Sequence, residues 1–232
     1  MKPVQAILRT AALLAIIAFS VPQMSAQKHY REHLWIGVHG GMSMSRMSFS
    51  PSLDQKSHNG FAGGVTFRYA EEKIFGLIGE LNLVQRGWQE NFKDNPGLAY
   101  KHTLTYVTLP IMTHIYFGSR RFKGFVNLGP EISYMVSDNI DSNFDYTNAT
   151  DAGIPASRVT QQMTMDIKNR FDYGITAGAG IEFYVRPRHS LVLEARYYFG
   201  LGNIFPSTKA DYFSASRGSA IQVTLGYNFR LR

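Results

Sequence analysis

Eight segments of this chain alternate apolar side chains with polar or small ones, at the two-residue period of a β-strand. In the first, Ile36, Val38, Gly40 and Met42 share one parity, and Trp35, Gly37, His39, Gly41 and Ser43 take the other. The second sets Phe61, Val65, Phe67 and Tyr69 against Ala62, Gly64, Thr66 and Arg68. The third sets Phe75, Leu77, Leu81 and Leu83 against Glu80, Asn82 and Arg86. The fourth places Val107, Leu109, Ile111, Ile115 and Phe117 opposite Tyr106, Thr108 and His114; the fifth places Val126, Leu128, Ile132 and Tyr134 opposite Asn127, Gly129, Glu131 and Ser133. The sixth, Asp172 to Phe183, alternates without a break. The seventh sets Leu191, Leu193, Tyr197 and Phe199 against Glu194, Arg196 and Tyr198, and the eighth sets Ile221, Val223, Leu225, Tyr227 and Phe229 against Gln222, Thr224, Gly226 and Asn228.

A soluble sandwich alternates as well, so the choice rests on two further patterns. The connections alternate in length. Short turns at Glu71-Glu72-Lys73, Ser119-Arg120-Arg121 and Arg186-Pro187-Arg188 interleave with longer links, the longest from Val136 to Asn169. That is the parity of a barrel with short periplasmic turns and long external loops. The charges Arg68, Glu80, Arg86, Glu131, Asp172, Glu182, Glu194 and Arg196 all fall on the parity opposite the large apolar residues. The pattern predicts an all-β fold, an antiparallel up-and-down transmembrane β-barrel of about eight strands, whose closure leaves no unpaired edge in lipid. Aromatic belts are expected at Trp35, Phe67, Tyr69, Phe75, Tyr116, Phe183, Tyr184, Tyr227 and Phe229 on the periplasmic rim, and at Trp88, Tyr134 and Phe199 on the outer one. Pro110 and Pro130 lack an N–H donor, so each should mark a bulge or a local break.

The start of the chain adds a destination. Lys2 and Arg9 flank an apolar run, Thr10 to Val21, that is followed by Ala26 before Gln27. This is the layout of a secretory signal peptide over 1–26, leaving 27–232 as a single barrel domain in the cell outer membrane. No other apolar stretch reaches the ~18 residues of a membrane helix. The chain has no Cys, which excludes disulfides, thiolate metal sites and Cys nucleophiles. Its net charge is +7, and removal of Lys2 and Arg9 leaves 22 basic against 17 acidic residues, or +5. For an exported chain this points to outer-membrane lipid headgroups, not nucleic acid.

Within a barrel of ~8 strands the interior is only wide enough for side chains. Arg68, Glu80, Glu131, Glu182, Glu194 and Arg196 are therefore expected to interlock as a salt-bridged plug, with an ion or proton path as the alternative. A lipid-modifying barrel enzyme would need Ser beside a general-base His. None of the seven His has a Ser two positions on, and His189-Ser190 point to opposite faces, which leaves a cross-strand pair open. Asp141 to Asp145 looks like the start of a calcium loop, but Tyr146 and Ala152 stand where that loop needs Gly and Glu. Gly178-Ala179-Gly180 lies on a strand and opens no helix, so it is no dinucleotide fingerprint. No catalytic residue, cofactor or metal ligand is assigned. The polar segment Asp138 to Lys168 is expected to face outside, either binding a partner or standing free.

Several short motifs recur in order along the predicted strands. They are Gly79-Glu80-Leu81 with Arg86-Gly87, Tyr106 to Pro110, Leu128 to Glu131, Asp172-Tyr173-Gly174 with Gly178-Ala179-Gly180, and Ala195 to Tyr198. From Trp35 to the C-terminus the chain thereby resembles the PorT-like outer-membrane β-barrel proteins of the Bacteroidota. The resemblance implies an outer-membrane location, makes Pro110 and Pro130 family features, and points to an accessory role in type IX protein secretion. Thr224 to Leu231 is similar to the last-strand signal read by the barrel-assembly machinery, carried here by Thr224, Gly226, Phe229 and Leu231. The expectation is a non-enzymatic barrel whose partners are lipid, the assembly machinery and secretion-system proteins. A lipid-modifying barrel enzyme and a structural or surface-exposed barrel with no transport role are the alternatives.

Overall fold

Every alternating segment forms a strand, and several strands outrun the apolar face that announced them. In the computed structural model, which describes residues 33–231 apart from 71–73, 94, 149–150, 152, 156–157 and 209–210, eight long strands follow one another. They are β1 (His33–Ser50), β2 (His58–Ala70), β3 (Phe75–Glu90), β4 (Tyr100–Gly118), β5 (Phe122–Ser142), β6 (Phe171–Arg186), β7 (His189–Gly200) and β8 (Ala215–Arg230). The expected signal peptide lies outside the described residues. Each strand pairs antiparallel with the next, and β1 pairs with β8 from Trp35↔Arg230 to Ser50↔Ala215, which closes the ring. A two-residue strand, Gln55–Lys56, adds to the top of β3.

The connections 71–74, 119–121 and 187–188 leave from the same end as the start of β1 and the end of β8. The long loops 51–57, 91–99, 143–170 and 201–214 leave from the other. Outward positions form an apolar band that includes Val38 and Met42 on β1, Leu81 and Leu83 on β3, Leu128 and Ile132 on β5, and Val223 and Leu225 on β8. In water such a surface would be unfavourable; in a bilayer it is the matching face. Leu225 lies centrally on this band and is 62% exposed. Leu225→Arg is expected to lower the unfolding free energy by about 2–4 kcal/mol, read from urea titration in lipid vesicles, whereas a change near zero would remove this face from the hydrocarbon.

Beyond the band the alternation continues with its faces exchanged. On β1 the apolar residues Met42 and Met44 point out, but Met47 and Phe49 point in, with Arg46 and Ser48 outside. On β4 the change falls between Leu109 and Leu104: Lys101, Thr103 and Thr105 take the outer parity, and Tyr100, Leu104 and Tyr106 are buried. β5 likewise continues to Ser142, paired with Tyr100, so the longest loop is 143–170 and not the whole stretch from Val136.

The prolines interrupt pairing without shifting it. Pairing lapses at Glu80–Leu81 opposite Pro110 and at Ile111–Met112 opposite Pro130, and resumes in the same register. The one bulge on the β4–β5 ladder lies instead between Thr105 and Tyr106. Four of the expected rim aromatics face inward. Trp35, Tyr116 and Trp88 are buried and Tyr184 is half-buried, because each sits on lumen parity. Phe67, Tyr69, Phe75, Phe183, Tyr134, Phe199 and Tyr227 do face out.

Candidate functional site

The interior is the most constrained part of the molecule, and it is built in layers. Nearest the short turns, Arg68 on β2 reaches across to Glu182 on β6 with two bonds of 2.9 and 2.8 Å. Its guanidinium lies 4.6 Å over Trp35, which in turn meets Tyr184 edge-on. Glu182 also accepts from Tyr184 and Ser190, so its lone pairs are occupied.

In the next layer Arg196 on β7 holds Glu80 on β3 through a bidentate pair at 2.7 and 3.0 Å, and Glu194 on its own strand at 2.8 Å. Asn127 donates to Glu194, and Asn82 to Glu80. Arg196 pairs with Gly178 and Glu194 with Gly180 in the β6–β7 register, and the Glu194 carboxylate lies in the space that a side chain on Gly178 would fill. Glu80 stands opposite Thr66; the glycine Gly64 faces Asn82 two residues along. A cavity of about 30 Å³ lies between these layers, lined by His39, Thr66, Arg68, Glu80, His114 and Glu194. It has room for water and nothing larger.

The third layer is Arg86 on β3, paired with Glu131 on β5 and 3.9 Å from Asp172 on β6. Arg86 is stacked 3.7 Å over Tyr198, whose hydroxyl donates to Asp172 at 2.9 Å. All six sequence-assigned lumen charges thus sit in the interior. Arg86 and Asp172, placed on lumen parity but left out of that set, complete it.

Above the charges the inward parity turns apolar and the loops fold down onto it. Phe49, Trp88 and Tyr100 from the strands meet Ile204, Phe205 and Phe213 from loop 201–214 and Ile154 and Met163 from loop 143–170. Phe49 lies 5.5 Å from Trp88 and 5.2 Å from Phe213. Loop 143–170 is tied down by polar contacts as well. Arg158 bonds Glu90 and the carbonyl of Asn91, both at 2.9 Å, and packs 4.5 Å over Phe92. Gln162 donates to Glu90 at 3.0 Å, and the Tyr100 hydroxyl to the carbonyl of Met163 at 3.2 Å. Glu90 stands well beyond Leu83, outside the lipid-facing band. Burial raises its carboxyl above the ordinary value, against the bonds from Gln162 and Arg158. The segment expected to face outside lies at the long-loop end and folds over the mouth of the barrel.

A cross-strand Ser–His contact exists. Ser45 on β1 lies 3.4 Å from Nδ1 of His58 on β2, but both are buried, and Nε2 of His58 faces Thr103, not a carboxylate. The Ser45 hydroxyl is also engaged by the backbone N–H and carbonyl of Gly87. Gly87 has φ +154°, and a side chain there would collide with the carbonyl of His102. Among the described residues no three His, Asp or Glu side chains converge as metal ligands.

Residues 25–206 match the family described as outer membrane protein beta-barrel domain, well over half of the chain. The chain belongs to that family. This outer membrane protein beta-barrel shares its fold with OprG of Pseudomonas aeruginosa, at 10% identity and a TM-score of 0.51, over 89% of this chain and all of that one. Outer membrane protein W of E. coli is also similar, at 17% identity and a TM-score of 0.44, over 86% of this chain and all of that one. No curated protein matches the chain in sequence. The chain is an outer-membrane protein whose outward face contacts lipid. The residues expected to carry an assembly signal lie on and just past β8: Thr224 and Gly226 on the inner parity, Phe229 on the outer, and Leu231 exposed just past the strand end.

Proposed function

We propose that this barrel is a closed, non-enzymatic accessory component of protein secretion or of another outer-membrane complex, acting through its outer surface and loops. The observation that carries the reading is the double filling among the described residues, ionic across the lumen and aromatic at the mouth. The burial of Ser45 and His58 supports a non-enzymatic role, since a lipid ester has no approach to them. The link to type IX secretion rests on the strand motifs shared with PorT-like barrels, and recognition by the assembly machinery rests on Thr224 to Leu231.

Reconstituted in planar bilayers, the protein is expected to show no large stepwise conductance; porin-like steps would overturn the plug. Deletion of the gene, followed by analysis of secreted proteins and mass spectrometry of lipid A, tests the role itself. Reduced export with unaltered lipid A is the expected outcome. Altered lipid A with normal export would sink this reading in favour of a lipid-modifying enzyme, and no change in either would leave a structural or surface-exposed barrel.

A further inference from the structure

The barrel wall is uneven at its outer end. β5 rises to Ser142, whereas its neighbour β6 begins only at Phe171, and the ladder between them ends where the Met135 N–H bonds the carbonyl of Arg170. Beside this step is an open cleft of about 670 Å³, bounded on its far side by loop 201–214. Its floor is aromatic and continuous with the lipid-facing surface: Tyr134, Phe171 and Tyr173 all point outward. Its upper edge carries Lys168 and Arg170, both exposed and two residues apart, with Asn203 and Ser207 across from them.

The backbone presenting these cations is pinned. Asn169, between them, bonds the carbonyl of Asn203 through its side chain at 2.8 Å and that of Ile204 through its N–H. Among the described residues, no ion pair involves Lys168 or Arg170. Lys168 also lies within the field of Asp211. Thr208 occupies that carboxylate with its N–H and hydroxyl at 2.7 and 2.6 Å, and these bonds hold Asp211 below its ordinary value.

Two cations directly above an aromatic shelf, at the outer edge of the hydrocarbon band, match a molecule with an anionic head and acyl chains below it. A phosphorylated glycolipid has this form, an anionic phosphate on a polar head above apolar chains. We propose that this cleft is a binding site for the phosphate-bearing headgroup of an outer-leaflet lipid of the lipid A type. Lys168 and Arg170 take the phosphate by charge-assisted hydrogen bonds, and Phe171, Tyr173 and Tyr134 lie along its acyl chains. The site is on the outer wall, so it is independent of whether the barrel serves secretion.

The test is native mass spectrometry of the whole protein in detergent micelles, titrated with phosphorylated lipid A, the same lipid dephosphorylated, and inorganic phosphate. The double variant Lys168→Gln/Arg170→Gln is expected to weaken binding of the phosphorylated lipid about 10- to 30-fold, from two cations near the membrane surface. A control variant, Lys56→Gln/Lys101→Gln, removes the same charge elsewhere at this end and should bind as the parent does. Dephosphorylated lipid A should bind the parent about as weakly as the phosphorylated lipid binds the double variant. Equal binding by double variant and parent, or equal binding of both lipids, would overturn the proposal. So would free phosphate binding as tightly as the lipid, because the aromatic floor would then play no part. These substitutions are on the surface, so loss of folding does not confound the comparison.

Discussion

Arg196→Met is expected to destabilise the barrel by about 3–5 kcal/mol, the cost of stranding buried charges whose partner is gone. Arg196 is the shared cation of Glu80 and Glu194, with three contacts between 2.7 and 3.0 Å. The ion-paired groups of the lumen number three guanidiniums, Arg68, Arg86 and Arg196, against five carboxylates, Glu80, Glu131, Asp172, Glu182 and Glu194. Without Arg196 the ratio is two to five, and Glu80 and Glu194 keep only the amide donors Asn82 and Asn127 and the neighbouring His39. Urea titration of the refolded protein in lipid vesicles measures the loss. A companion variant with Arg196→Met, Glu80→Leu and Glu194→Leu should recover most of it, because an apolar trio of similar volume strands no charge. A shift of less than about 0.5 kcal/mol for Arg196→Met alone is the size seen at unconstrained surface sites, and it would mean that the layer is hydrated and not a plug.

The parts of this barrel that were legible in the sequence are those where lipid imposes a single rule. Between the two rims, every outward side chain meets hydrocarbon and every inward one meets other side chains. Phe171 to Phe183 therefore reads unambiguously, and Arg68, Glu182 and Arg196 fall on the inner parity. The rule fails at both ends. Above the band, water lies outside and the loops lie inside, so apolar residues such as Phe49 and Leu104 belong on the opposite parity from Met42 and Leu109. A search for outward apolar residues stops at that inversion, which is why β1, β4 and β5 were expected to be shorter. The capping cluster left one readable trace: Ile204, Phe205 and Phe213, large apolar residues in a loop whose other residues are mostly small or polar. At the periplasmic rim Trp35, Tyr116 and Tyr184 have the height of a belt but the parity of the lumen, and parity decides that they face inward. Which carboxylate each arginine takes was not legible at all. Arg68 to Glu182 spans β2 to β6 across the barrel, a relation set by strand tilt and closure and not by spacing along the chain.

Excision of residues 147–164 is expected to expose the mouth without opening a pore. The excised stretch carries Ile154 and Met163, and full burial of such a side chain contributes about 1.5–3 kcal/mol, offset in part by the freedom the loop regains. It also carries Arg158 and Gln162, the two partners of Glu90, so Glu90→Gln is included to avoid stranding a buried carboxylate. Strand ends at Ser142 and Phe171 are kept, since a deletion beginning at Asn139 would cut the paired portion of β5. With the cap gone, Trp88, Tyr100 and Phe205 lose cover, and a fluorescent probe of exposed apolar surface should bind where it does not bind the parent. Conductance in planar bilayers should stay low, because the Arg86, Arg196 and Arg68 layers lie below the cut and depend on no residue in it. Porin-like steps from the excised variant alone would place the seal in the cap and overturn the ionic plug. Adding Arg196→Met to the excision removes an element of both closures, and a conductance that appears only in this combination would show that the two seals act independently.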